Sequence, residues 1–288
     1  MKLKLKLMAA AVALVATSGA AQAAIANSTS GNGSLVLFAY DTVANTTAMF
    51  DLGVQMDSFL PAAMSAGGSI TWNLGSSSVA GTGAYASFSS ALNYGSTFAN
   101  FSPATSVKWG VIALDQTGTA AGDDRYLSTS KDAMGIVDNV TKSNLVAFSG
   151  VDSFLNAQNN AAGHTNFANG ASLNTDLTAT GGALSSNALH QNGFGSTDKW
   201  LAKSQHVATN VAGTAMNFYM LDTGGALSTA RVTQFGNANG AATFLYDDTA
   251  GTLTYAAPVP EPSEYALMLA GLGMIGFIAR RRRQPAQA

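Results

Sequence analysis

The sequence predicts a mainly β protein: a sandwich-like or jelly-roll-like body with a few short helices, preceded by an N-terminal signal helix and followed by a C-terminal transmembrane helix. Three observations carry this expectation. The chain holds 30 glycines and only 10% charged residues, and its body is rich in Ala, Ser, Thr and Asn, which favours short strands joined by polar turns over salt-bridged helices. Short apolar runs bounded by turn residues recur along it. Both ends of the chain pair an apolar segment with a basic cluster.

The N-terminal segment, residues 1–23, begins with Lys2, Lys4 and Lys6, continues through an apolar run from Leu7 to Ala16, and ends in Ala21-Gln22-Ala23. That small-x-small ending suits signal peptidase, so cleavage is expected after Ala23 with the mature chain starting at Ala24. The exported body spans residues 24–257. Within it Ser34 to Tyr40 reads as a buried strand, as do Ser69 to Leu74, Val107 to Leu114 and Met216 to Leu221. Ala242 to Tyr246 and Thr252 to Ala256 flank Asp247-Asp248-Thr249-Ala250-Gly251, whose Asp and Gly supply the turn of a hairpin that should be the last element of the body. Helices are expected to be short: one from Asp57 to about Met64 with Pro61 in its first turn, another over Val151 to Ala157. The stretch 159–196, dense in Asn, Gly and Ser, carries no sustained period and reads as loop with helical fragments. Two short fragments recur once each at unequal offsets, which excludes a solenoid or propeller.

A Pro-rich linker occupies residues 258–264, Pro258-Val259-Pro260-Glu261-Pro262-Ser263-Glu264, where proline fixes φ and removes backbone donors. Residues 265–288 follow as an apolar helix from Tyr265 to Ala279 and then a basic stop, Arg280, Arg281, Arg282 and Arg283. At 1.5 Å per residue that helix reaches about 22 Å, short of a hydrocarbon core of about 30 Å, a gap that arginines and Tyr265 at the interface help to close. The arginines favour the cytoplasmic side and leave the body outside the inner membrane. Proline-glutamate-proline, a short glycine-containing apolar helix and a basic terminus, in that order, resemble the PEP-CTERM family of exported proteins of Gram-negative, exopolysaccharide-producing bacteria. Ser263, Tyr265 and Leu267 follow the family pattern, whereas Glu264 stands where Thr is usual. The segment Leu35 to Leu60 also resembles uncharacterised PEP-CTERM proteins. The resemblance implies recognition by an exosortase, a multipass membrane enzyme that cuts near Pro260-Glu261-Pro262 and releases or transfers the protein.

Charge and composition narrow the chemistry. Three of the 14 basic residues precede the cleavage site and four are the terminal arginines, which leaves seven against all 16 acids and a net charge of −9 for the exported part. Such a surface disfavours nucleic acid. The absence of cysteine removes disulfides and thiol or Cys-ligated metal chemistry. No glutamate lies between Ala24 and Val259, so an acid-base pair would need two aspartates. Asp123-Asp124 and Asp247-Asp248 read as turn residues, with Asp115, Asp123 and Asp124 around Gln116 to Gly122 as a weaker calcium alternative. His164, His190 and His206 are too far apart for a helical zinc pair. No Gly-x-Ser-x-Gly elbow occurs. Gly81-Thr82-Gly83-Ala84-Tyr85-Ala86 fits the loose dinucleotide fingerprint without its strand and helix context, and reads as a turn before a strand. Asn45-Thr46-Thr47 and Asn139-Val140-Thr141 match a glycan acceptor pattern that this composition produces readily. Trp72 and Trp109 read as core, with Trp200 the best exposed aromatic for a sugar platform.

These features predict no enzyme, no cofactor and no metal. They predict an exported structural or adhesive protein of the envelope or a biofilm matrix, which passes through the inner membrane to the cell surface or the medium. Its partners would be signal peptidase, exosortase, transiently the inner membrane, and exopolysaccharide as a candidate ligand. A carbohydrate-binding module and a secreted hydrolase with an Asp/His site are the alternatives.

Overall fold

The computed structural model describes residues 24–41, 43–44, 46–63, 67–101, 106–117, 123–131, 155, 159, 168–174, 210–222, 231–259 and 267–275. The expectations placed on Ala21 and Ala23, Pro260 to Pro262, Arg280 to Arg283, the three histidines, Trp200 and Asn139 to Thr141 lie outside these residues.

The body is mainly β. Its strands are β1 (Ser34–Asp41), β2 (Thr46–Gln55), β3 (Gly68–Asn73), β4 (Ser78–Gly83), β5 (Val107–Gln116), β6 (Asp124–Ser130), β7 (Ala171–Asn174), β8 (Asn210–Val211), β9 (Met216–Asp222), β10 (Arg231–Gln234), β11 (Gly236–Asn237), β12 (Gly240–Ala241), β13 (Thr243–Asp247) and β14 (Thr252–Ala257). Among the described residues of the body are also a 3-10 turn (Ser28–Ser30) and the helices α1 (Met56–Ala63) and α2 (Thr97–Phe101). Twelve of the strands form one sheet with the path β4-β3-β14-β13-β9-β6-β5-β1-β2-β7, to which β10 adds on β9 and β8 on β5; β11 and β12 form a small ribbon of their own. All of these strand pairs are antiparallel.

The mainly β character expected of the body is present, and its described strands form one antiparallel sheet that curls on itself around an aromatic core in place of separate sandwich or jelly-roll sheets. Trp72 on β3, the second strand of the path, lies over the same interior as Leu52 on β2, the second strand from its other end. Phe59 of α1 sits among Phe218, Phe235, Phe244 and Tyr255, with ring centroids 5.2 to 6.4 Å apart. Offset and edge-to-face packing of this kind adds to the area that each ring buries. The chain from Tyr85 to Phe101 spans the gap between the two ends of the sheet. Phe88 packs edge-on against Trp72 at 5.8 Å, and Asn93 bridges to Gly170, next to β7.

The expected strands and hairpin are present, with ends displaced by a residue or two. Helix α1 starts at Met56, one residue earlier than expected, so Pro61 falls in the second turn and not the first. β7 is a strand within a stretch that reads as loop. Gly81 to Gly83 end β4 and lead into a turn, with Tyr85 N–H donating to Thr82 O at 3.0 Å, so this glycine-rich run follows a strand instead of preceding one. Of the helix expected over Val151 to Ala157, the described Leu155 is helical and buried. At the C-terminus a helix covers residues 267–275 with Leu267, Leu269, Met274 and Ile275 exposed. No helix among the described residues is long and apolar enough to cross a membrane.

Candidate functional site

The segment that carries Pro260-Glu261-Pro262 follows the final hairpin of the body, β13 and β14. Asp247 Oδ1 accepts the N–H groups of Thr249 and Ala250 at 3.0 and 2.8 Å, closing the turn between β13 and β14. Asp247 therefore does the local work expected of a turn aspartate. β14 then inserts between β13 and β3, with Tyr255 opposite Ile70 and Ala257 opposite Gly68. The ladder stops at Ala257 because Pro258 has no N–H to give.

Beyond β14, Pro258 is half-buried against the body and Val259 is exposed. Asn237, at the turn between β11 and β12, donates from Nδ2 to Pro258 O at 2.6 Å while its Oδ1 accepts Asn239 N–H at 2.9 Å. Gly67 lies beneath the linker: a Cβ there would come within 2.7 Å of Pro258 O and 2.9 Å of Val259 Cγ1. Beside the linker opens a cleft of about 590 Å³ whose walls include Ser69, Thr82, Ala241, Thr243, Ala256 and Val259. None of the residues lining it is charged. Pro260, Glu261 and Pro262 begin at the next residue.

Elsewhere a cluster around Arg125 ties several elements together. Arg125 on β6 bonds Asp115 Oδ2 on β5 through Nε and Nη2 at 3.1 and 2.7 Å, Asp57 Oδ1 on α1 at 2.7 Å, and Gly31 O at 3.2 Å. Asp115 Oδ1 accepts both the N–H and the hydroxyl of Thr117, at 3.0 and 2.7 Å. With both oxygens occupied and a guanidinium alongside, Asp115 does not suit the calcium alternative. Asp123 lies in a turn, whereas Asp124 opens β6 and is buried, against the expectation that both are turn residues. Among the described residues no three His, Asp or Glu side chains converge.

Sequence reasoning missed Asp51. It lies in β2, is buried, and accepts Gly53 N–H at 2.9 Å. Burial pushes its carboxyl up to about 6, against the lowering effect of the Gly53 N–H and the Ser34 hydroxyl. Its own backbone carbonyl accepts the Tyr94 hydroxyl at 2.8 Å, and burial with the nearby Asp51 charge holds that phenol well above its ordinary value. An aspartate in the middle of an apolar run was the available signal.

The aromatic residues are turned inward. Trp72 and Trp109 are fully buried, and Trp109 donates from Nε1 to Val211 O at 3.1 Å. Among the described residues no tyrosine or tryptophan is exposed, so none is presented as a sugar platform.

At the N-terminal side, Ala24 is exposed while Ile25 is buried. The Asn159 side chain brackets the Ile25 backbone, accepting its N–H at 2.6 Å and donating to its carbonyl at 2.9 Å.

Residues 258–283 match the family model described as the PEP-CTERM protein-sorting motif. The match covers the linker, the apolar helix and the four arginines, less than a tenth of the chain. No curated protein and no solved structure matches the chain. The motif implies an exported protein, handled by an exosortase and directed to the cell envelope or surface.

Proposed function

We propose that this chain, which carries a PEP-CTERM sorting motif, is a non-catalytic structural or adhesive protein of the cell envelope or extracellular matrix, associated with exopolysaccharide in a biofilm. The observation that carries the reading is the junction itself: the matched segment begins at Pro258, directly after β14, beside a cleft whose lining is uncharged. Support also comes from how the body uses its polar groups. Asp115, Asp57 and Arg125 tie β5, β6 and α1 together, and the indoles of Trp72 and Trp109 bond backbone carbonyls inside the core. These side chains stabilise a scaffold. A carbohydrate-binding module would present aromatic faces to solvent, and the described tryptophans do not.

In this reading the signal segment is removed after Ala23, the apolar segment and Arg280 to Arg283 hold the precursor at the inner membrane, and the exosortase acts near Pro260-Glu261-Pro262. Fractionation of wild type and of a variant with those three residues changed to alanine tests it, in one strain with an exosortase and one without. Wild type is expected to leave the membrane in the first strain only, and the variant to stay membrane-bound in both. Wild type that remains full-length and membrane-bound in both strains defeats the sorting reading. The matrix role is tested separately by retention of the released body on the producing organism's exopolysaccharide.

A further inference from the structure

One row of the sheet ladder forms the floor of the cleft beside Pro258. Thr243 of β13 lies opposite Ala256 of β14, Ala256 opposite Ser69 of β3, and Ser69 opposite Thr82 of β4. Residues opposite one another across a ladder share a face, and neighbours along a strand alternate between faces. Phe244, Tyr255 and Ile70, the neighbours of Thr243, Ala256 and Ser69, are fully buried in the core, so the row points away from it, with Ala256 and Thr82 exposed. Pro258 and Val259 border this floor, and the space of about 590 Å³ is of the size that holds small ligands.

The chemistry of the lining selects its occupant. Hydroxyls stand toward both ends of the row, and aliphatic surface lies between them: the Ala256 methyl on the floor, with Pro258 and Val259 beside it. Strands about 4.8 Å apart put Thr243 and Ser69 about 10 Å from each other, which leaves room for a ring over Ala256. Ser69 Oγ and Thr82 Oγ1 lie 2.8 Å apart, and Thr82 Oγ1 also accepts Ser69 N–H at 3.1 Å. Each hydroxyl has one proton, so one bridges the pair and the other is left for a ligand. No lining side chain is charged, so a cation finds no carboxylate there, while the net charge of −9 on the exported part repels an anionic polymer. We propose that the cleft binds an uncharged pyranose unit of a polysaccharide, its C–H face on Ala256 and Pro258 and its rim hydroxyls on Thr243 and the Ser69–Thr82 pair. The proposal rests on the matrix reading and names the polymer class, neutral and not acidic. One such cleft holds weakly, and many copies of the chain on one polymer add up to firm attachment.

The test is frontal affinity chromatography of the full chain in detergent, on the producing organism's exopolysaccharide divided by anion exchange into uncharged and acidic fractions. Wild type should be retained by the uncharged fraction. Thr243→Val keeps the size of the side chain and removes its hydroxyl, and should weaken retention about fivefold, the factor carried by one hydrogen bond of ordinary net strength. Ala256→Ile fills the floor from an exposed position on β14 and should abolish retention. Leu245→Ala, two residues from Thr243 on β13 and outside the cleft, should leave retention unchanged. Melting curves that match wild type assign the losses to the cleft, and Thr243→Val decides alone if Ala256→Ile does not fold. Equal retention of wild type, Thr243→Val and Ala256→Ile on the uncharged fraction overturns the proposal and leaves the matrix reading standing. Retention by the acidic fraction only, or an exopolysaccharide with no uncharged fraction, overturns it in the same way. Retention of wild type by neither fraction defeats the matrix reading and the proposal together.

Discussion

The indole Nε1 of Trp72 donates to the backbone carbonyl of Leu52 at 3.0 Å, and this buried bond joins the second strand from one end of the sheet path to the second from the other. It holds the curl closed at a point where no strand ladder does. Trp72→Phe keeps an aromatic ring, smaller than the indole, but leaves the Leu52 carbonyl without its donor, and is expected to destabilise the body by about 1–3 kcal/mol. Trp72→Ala removes the ring as well, at about 3–5 kcal/mol. Urea denaturation checks both, and equal midpoints for Trp72→Phe and wild type would dismiss the closing role of the bond.

Asp51 makes stability depend on pH in the direction opposite to an ordinary surface carboxylate. Its folded value of about 6 lies above the usual 3.8, so the folded chain holds the proton more tightly than the unfolded one. Stability from this group is fully present below about pH 4 and is lost as pH rises through about 6. Asp51→Asn retains an acceptor for Gly53 N–H, and should flatten the stability profile between pH 4 and 6 while leaving the body as stable as wild type, or more so, at pH 7.5. Denaturation midpoints across that range decide it, and an unchanged slope in the variant contradicts the assignment.

The two carboxylates around Arg125 differ in burial, and their removal should differ in cost. Asp57 is half exposed on α1, so Asp57→Ala is expected to cost less than about 1 kcal/mol. The Asp115 side chain is 4% exposed and accepts from Arg125 and Thr117 together, so Asp115→Ala leaves a partly buried guanidinium without its main partner, at about 3 kcal/mol. Thermal melts of the two single variants should fall in that order. The reverse order would mean that the surface pair carries the cluster.

Exported protein should begin at Ala24 or within a few residues of it. Ala24 is exposed and Ile25 is buried under the two hydrogen bonds of Asn159, so the body takes hold of the chain just past the expected cut. N-terminal sequencing of secreted material reads this directly. Recovery of chains that still carry Lys2 to Lys6 outside the cell would sink it.

Those parts of this protein that depend on near neighbours were legible in the sequence. The hairpin around Asp247 to Gly251, the buried run from Ser34 to Tyr40 and the inward tryptophans follow from turn chemistry, hydrophobic runs and period-2 alternation, and the tail follows from a motif read over 26 consecutive residues. Strand β2 was not legible, because Asp51 and Gly53 interrupt its apolar run, and it forms only because both of its neighbours, β1 and β7, supply ladders for it. Tertiary structure alone decided that the last hairpin lies between β9 and β3, that Trp72 reaches Leu52, and that Asn237 closes on Pro258. The physical reason is range. A turn or an apolar run is set by residues a few positions apart, whereas strand order and the Asn237 bond to Pro258 come from pairings whose loop-closure cost is met only when the whole core forms.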